Sequence, residues 1–204
     1  LSARGWLVVA LLTMLTGVFG AASQTGIRRI LSFHIVSQLG YIVLGLAIYT
    51  PLALAGTVYY LMHHIIVKAN LFLVSGLIQR EGGSFALGRL GGLYRHAPLL
   101  AVLFLVPAAS LAGFPPLSGF WAKLLLILAS FEAGQPLAAV VALAVGFMTI
   151  YSMAKIWIAA FWKPAGEEAP ARPTTTGVRI VTYLPVAVLA GITILMGLWP
   201  QPFF

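Results

Sequence analysis

The sequence predicts an all-α polytopic membrane protein with six transmembrane helices, the fourth broken in its middle. Three observations predict it. Of 204 residues, 61% are hydrophobic and only 8% charged, whereas a soluble domain carries roughly a quarter charged residues. Mean hydropathy is +1.02, and the apolar residues come in blocks that reach the ~20 residues a crossing helix needs. When successive loops are assigned to alternating sides, the basic residues gather on one of them. The chain starts at Leu1, with neither an initiator Met nor a signal-peptide pattern, so it reads as a piece of a longer protein. The absence of cysteine excludes disulfides, thiolate metal sites and haem attachment.

The spans follow in order. The first two are residues 5–22 and 30–49, with His34, Gln38 and Tyr41 on one face of the second at spacings of four and three. The third, 53–79, holds Lys68 near its centre. A lysine there costs at least ~2.5–3.5 kcal/mol on insertion scales, which implies a partner or a task. His64 and Tyr60 precede it by one and two turns, and Thr57 and Ser75 extend the same polar stripe. His63 is rotated about 100° from that stripe and suits either a neighbouring helix or a packing gap. The fourth span, 99–131, is too long for one straight helix and contains Gly113-Phe114-Pro115-Pro116. Proline removes a backbone donor and clashes with the preceding turn, so the helix breaks there. Such a break is tolerated where it is buried in protein or lines a hydrated cavity. Lys123 lies just beyond it, and Glu132 at the far end is a candidate exit group. The fifth span is 137–162, where Lys155 is read as snorkelling to the headgroups. The sixth is 178–199.

Three lysines sit inside spans, leaving nine of the twelve basic residues outside them. Arg28, Arg29, Arg80, Arg89, Arg95, Lys163, Arg172 and Arg179 fall on one face and Arg4 on the other. The positive-inside rule makes the first face cytoplasmic, with loops 23–29, 80–98 and 163–177 on it. The net charge of +8 is thereby explained by topology. Anionic lipid headgroups are a fitting contact for the loop arginines, and no nucleic-acid recognition pattern is present. The glycines of 80–98 precede no phosphate-binding Gly-Lys-Ser/Thr and read as flexible turns. Glu167 and Glu168 read as a solvated loop pair. No hydrolase motif, metal cage or cofactor signature occurs.

What remains is a set of intramembrane polar residues: Lys68, His64, Lys123, His34 and Tyr60, with Glu132 at an edge. A buried lysine can exchange its proton near neutral pH, and an imidazole titrates there already. Together they suggest a proton path.

Three segments resemble a known family. They are Thr25–Tyr41 with its Arg28-Arg29 pair, the His63-His64-Ile65-Ile66-Val67-Lys68 segment, and Ala112-Gly113-Phe114-Pro115-Pro116 through Lys123. All look like the antiporter-like subunits shared by respiratory complex I, membrane hydrogenases and multisubunit Mrp-type Na+/H+ antiporters. The wording is closest to the D-type subunits of the Mrp group. Complex I relatives more usually have Ala-Tyr-Ser in place of Ser32-Phe33-His34. The resemblance implies two inverted five-helix repeats, each with a broken helix. Residues 1–162 would be the second repeat, 163–177 a cytoplasmic loop and 178–204 the final helix. It implies that Lys68 is the central lysine, His64 its companion and Lys123 the broken-helix lysine of the outward half-channel. It also implies an earlier repeat with its own glutamate–lysine pair, without which this segment should not complete a cycle. One departure is Gly26, where an acidic residue is common, so Arg28 must find another partner. The expected function is proton translocation in a cation/proton antiporter of the bacterial inner membrane, beside other subunits and lipid, with Na+ exchanged. The alternatives are a proton-pumping arm of a quinone-linked oxidoreductase or hydrogenase, and a transport-silent structural subunit.

Overall fold

The computed structural model describes residues 2–164 and 176–201, and every regular element among them is helical. In chain order these are α1 (Ala3–Ser23), α2 (Ile27–Ile48), α3 (Pro51–Gly82), α4 (Leu93–His96), α5 (Pro98–Ala112), α6 (Ser118–Glu132), α7 (Pro136–Trp157) and α8 (Thr176–Leu198). A short 3-10 turn at Leu87–Arg89 precedes α4, and a π turn at Ile158–Trp162 extends α7. Five helices are long and apolar enough to cross a membrane, and α5 with α6 forms the broken sixth crossing. Glu167, Glu168 and Arg172, with most of the 163–177 segment, lie outside the described residues.

Helix ends follow local chemistry. Thr50 caps α3 by accepting from the Ala53 amide at 3.2 Å, with Pro51 in the first turn. At 32 residues α3 runs to ~48 Å, longer than the ~30 Å hydrocarbon core, so its end carrying Arg80 and Glu81 stands clear of the bilayer. Gly113 ends α5 in the left-handed region at φ 96°, a conformation only glycine adopts without strain.

Two apolar clusters fill the bundle, one at each end. The loop-side cluster joins Ile27, Ile30 and Leu31 to Leu71, Val74, Leu100, Phe104, Ile156 and Phe161. The opposite cluster joins Met14, Tyr41 and Leu44 to Tyr59, Tyr60, Leu126 and Val145. Between them α2, α3, α5, α6 and α7 each contribute buried polar side chains, among them His34, Gln38, His63, His64, Ser110, Ser118, Thr149 and Ser152. A polar layer across the middle of an apolar bundle is the reverse of what stability alone would select.

The loops are less free than their glycines suggest. Gly26 and Ala86 form an antiparallel bridge, with the Ile27 amide donating to the Phe85 carbonyl (3.0 Å) and the Leu87 amide to the Thr25 carbonyl (2.9 Å). The Gly92 amide donates to the Lys163 carbonyl at 2.6 Å. The 80–98 connection is therefore held to both neighbouring loops by its backbone, which corrects the reading of flexible turns. Arg28 finds its partner here, its guanidinium 4.0 Å from the centre of the Phe85 ring.

The final helix is fastened at its C-terminal end. The last carbonyls of a helix have no partner within it. Here Tyr59 on α3 donates to the Met196 carbonyl at 2.7 Å, and the Trp121 indole on α6 donates to the Gly197 carbonyl at 2.9 Å. Trp121→Phe removes the second bond, and about 1 kcal/mol of stability is expected to go with it. The midpoint of thermal unfolding of the solubilised complex reads this directly. An unchanged midpoint would show that water replaces the indole without loss.

Candidate functional site: a buried polar layer around two lysines

Lys68 sits on α3 with 5% of its surface exposed, and its Nζ donates to the Leu31 carbonyl of α2 at 3.2 Å. Two turns earlier the Tyr60 hydroxyl donates to Gln38 Oε1, also on α2. These two bonds set the antiparallel register of α2 and α3: Leu31 meets Lys68 and Gln38 meets Tyr60. His34 and His64, one turn inward from each end, therefore fall at the same level of the seam. Both nitrogens of His34, Nε2 of His64 and Nε2 of Gln38 are buried with no protein partner. Polar atoms at that depth rarely stay unbonded, so the seam is a row of groups suited to water or a moving proton.

Lys123 reaches the same region from α6. It is 7% exposed, and its Nζ donates to the carbonyls of Leu111 (2.8 Å) and Ala112 (3.0 Å) in the last turn of α5. Those carbonyls are the negative end of a half-helix dipole, a favourable seat for an ammonium. The break thus does two things at once: it frees carbonyls and it turns α6 so that its lysine can take them. Beside Lys123 a cleft of about 280 Å³ runs between α6 and α7, walled by Phe120, Leu124, Ile127, Leu143 and Phe147. Lys68 and Lys123 lie within electrostatic reach of one another, and His34 within reach of both.

The break is pinned by three polar residues. The Gly119 amide, with no partner inside its own helix at the start of α6, donates to Ser110 Oγ at 3.2 Å. Ser110 and Ser118 hydroxyls lie 3.1 Å apart, and Ser118 Oγ is 2.8 Å from His63 Nδ1. His63, which suits either of two roles by its rotation, serves the neighbouring helix. Sequence reasoning misses Ser110 and Ser118, although a serine on each side of Gly-Phe-Pro-Pro is a visible signal. It misses Asn70 as well, which is fully buried on the His63 side of α3 with both amide atoms unpartnered.

Two residues stand apart from this layer. Glu132 ends α6 in an exposed position, nine residues and ~13 Å of helix rise from Lys123. Lys155, half-buried near the loop-side end of α7, donates through its Nζ to the carbonyls of Ala22 (3.0 Å) and Gln24 (2.7 Å), closing the C-terminal end of α1 beside the 23–29 loop.

A helical bundle with a broken crossing and lysines buried at mid-depth defines an antiporter-like membrane protein. The model of the family described as NADH:quinone oxidoreductase/Mrp antiporter, TM, matches residues 3–150, and the chain belongs to that family. It is 50% identical over 198 residues to the D-type subunit of the Na(+)/H(+) antiporter of Alkalihalophilus pseudofirmus, covering 97% of this chain and 40% of that protein. Among solved structures it is similar to a chain of the Mrp complex from Dietzia sp. DQ12-45-1b, with a TM-score of 0.86 and 39% identity over 98% of this chain and 45% of that one. It is also similar to a chain of respiratory complex I from Thermus thermophilus with bound NADH, with a TM-score of 0.86 and 26% identity over 98% of this chain and 42% of that one. The chain thus spans about 40% of the length of the curated antiporter relative that it matches.

Proposed function

We propose that this chain forms a proton-translocating half of one component of a multisubunit Na+/H+ antiporter, seated in the inner membrane of a bacterial cell. The observation that carries the reading is the pair of buried lysines, each hydrogen-bonded to backbone carbonyls, beside a seam in which His34, His64 and Gln38 hold unpartnered nitrogens. Neither lysine has a carboxylate partner among the bonds that hold it, so nothing fixes it permanently in the charged form. Residues 1–162 act as the second repeat of the family's pair, with the loops at 23–29, 80–98 and 163–177 on the cytoplasmic side. The Na(+)/H(+) antiporter relatives support the assignment, and the other subunits of such a complex would be the partners.

The mechanism is electrostatic relay. Two unit charges ~10 Å apart at an effective dielectric of ~20 repel by ~1.7 kcal/mol, more than tenfold in proton occupancy. Charging Lys68 therefore drives a proton off Lys123 toward the outer side, and discharge lets it return. His34 and His64 would pass protons along the α2–α3 seam, with Tyr60 closing its end. Glu132 would act only as a headgroup-level exit.

Lys123→Ala in the complete complex is the test. Na+-driven collapse of an imposed ΔpH in everted vesicles is expected to fall roughly 100-fold, the scale on which losing a positioned proton-transfer group acts. Assembly is checked on a native gel. Full activity in an assembled variant would leave the transport-silent structural reading standing. The likeness to complex I favours one further reading, a proton-pumping arm driven by a quinone reductase or hydrogenase. Proton movement that follows electron donors and ignores Na+ would establish it.

A further inference from the structure

Two aromatic rings stand between the break and the α2–α3 seam. Tyr41 on α2 and Tyr60 on α3 are both fully buried, and their rings stack with centroids 5.1 Å apart and planes 14° from parallel. Lys123 Nζ lies 5.6 Å from the centre of the Tyr41 ring. At the other end the Tyr60 hydroxyl is on Gln38, one turn from His34. One row of contacts from Lys123 toward the histidines of the seam therefore runs through two stacked rings.

Such a stack passes no proton. Ring carbons carry no exchangeable hydrogen, and both hydroxyls are already committed. Tyr41 donates to the backbone carbonyl of Ala142 on α7, an acceptor that cannot carry a proton onward. Tyr60 donates to a side-chain amide oxygen, which is no better a proton carrier. Around the pair lie Leu44, Ala122, Leu126 and Val145, and the His63 ring meets Tyr60 nearly edge-on at 5.8 Å. The surroundings are apolar on most sides, and the polar neighbour, His63, is itself held on Ser118 at 2.8 Å.

We infer that the Tyr41–Tyr60 stack is a partition that stops protons passing freely between Lys123 and the Lys68–His64 row, and that Tyr41 is the positioning residue that keeps it shut. The inference deepens the proton-path reading and rests on it. A coupled exchanger must never connect its two sides by one continuous hydrogen-bonded line, because protons would then run down their gradient without moving the cation. Charge repulsion acts across aromatic rings, whereas a chain of water does not. The stack thus leaves the lysines electrostatically joined while keeping them chemically apart.

The experiment follows the passive decay of an imposed ΔpH in everted vesicles carrying the complete complex, with choline as the only external cation. Tyr41→Phe, which keeps the ring, is expected to decay at the wild-type rate. Tyr41→Ala is expected to decay several-fold faster. Adding Lys123→Ala to it should restore slow decay, because the leak must pass through that lysine. Tyr41→Leu, which keeps more of the volume but not the flat ring, is expected to leak as well and stands in if the alanine variant does not assemble. A wild-type decay rate in an assembled alanine or leucine variant would overturn the inference. A leak that survives the double substitution would overturn it too, since that is a hole in the bundle wall. Failure of the proton-path reading shows separately, as full Na+-driven exchange in Lys123→Ala alone.

Discussion

Lys68→Ala is expected to abolish Na+-driven proton movement, a loss of roughly 100-fold or more on the scale of removing a positioned proton-transfer group, while the complex still assembles. Assembly should survive because the lysine's one hydrogen bond is to Leu31, whose carbonyl already lies within α2. Removing a buried cation also removes a desolvation cost, so the folded state loses little. Lys68→Arg sharpens the result. A guanidinium keeps the positive charge but does not release its proton. If Lys68 serves only as a fixed charge, arginine restores transport. If it must shed its proton, arginine is as silent as alanine, and that is the expected outcome. Vesicle assays on all three forms, each checked on a native gel, separate the cases.

Gly119→Ala is expected to be the most damaging structural change in the break. A Cβ at this position would collide with the Ser110 carbonyl oxygen and come 2.9 Å from His63 Cε1. Backbone on both sides of the break would have to part, and the Ser110–Ser118–His63 cluster with it. Overpacking of this kind costs ~3 kcal/mol. The thermal midpoint of the solubilised complex should fall clearly below that of Gly76→Ala, where a Cβ meets nothing within 4 Å. Equal midpoints in the two variants would show that the half-helices can separate without penalty.

The crossings are legible in the sequence because each is a long apolar block bounded by charge, and such blocks have one stable place. The break is legible for a related reason, since Pro115 and Pro116 cannot continue a helix. The polar stripe of α3 follows from its spacing of four. Contacts across the fold are less visible. His63 reaches Ser118, 55 residues away, and one sequence contains nothing that pairs them. The bonds of Lys155 to the end of α1 are not visible in the sequence because its partners are backbone carbonyls, which every residue has. The bridge between Gly26 and Ala86 is hidden for the same reason. Charge alone draws Glu132 toward the path, and helix length puts it outside the buried layer.

The way Lys123 is seated has a consequence for how the break behaves through a cycle. Two carbonyls take two of its hydrogens. An ammonium has three, and the neutral amine keeps two. The hydrogen that leaves on deprotonation is thus the one that neither carbonyl needs. Both tethers to α5 can persist in either form, weaker when neutral but with the same donors and acceptors. The end of α5 then has no cause to rearrange each time a proton comes or goes. On the proposed relay, what alternates at this site is an electrical state on a mechanically constant frame.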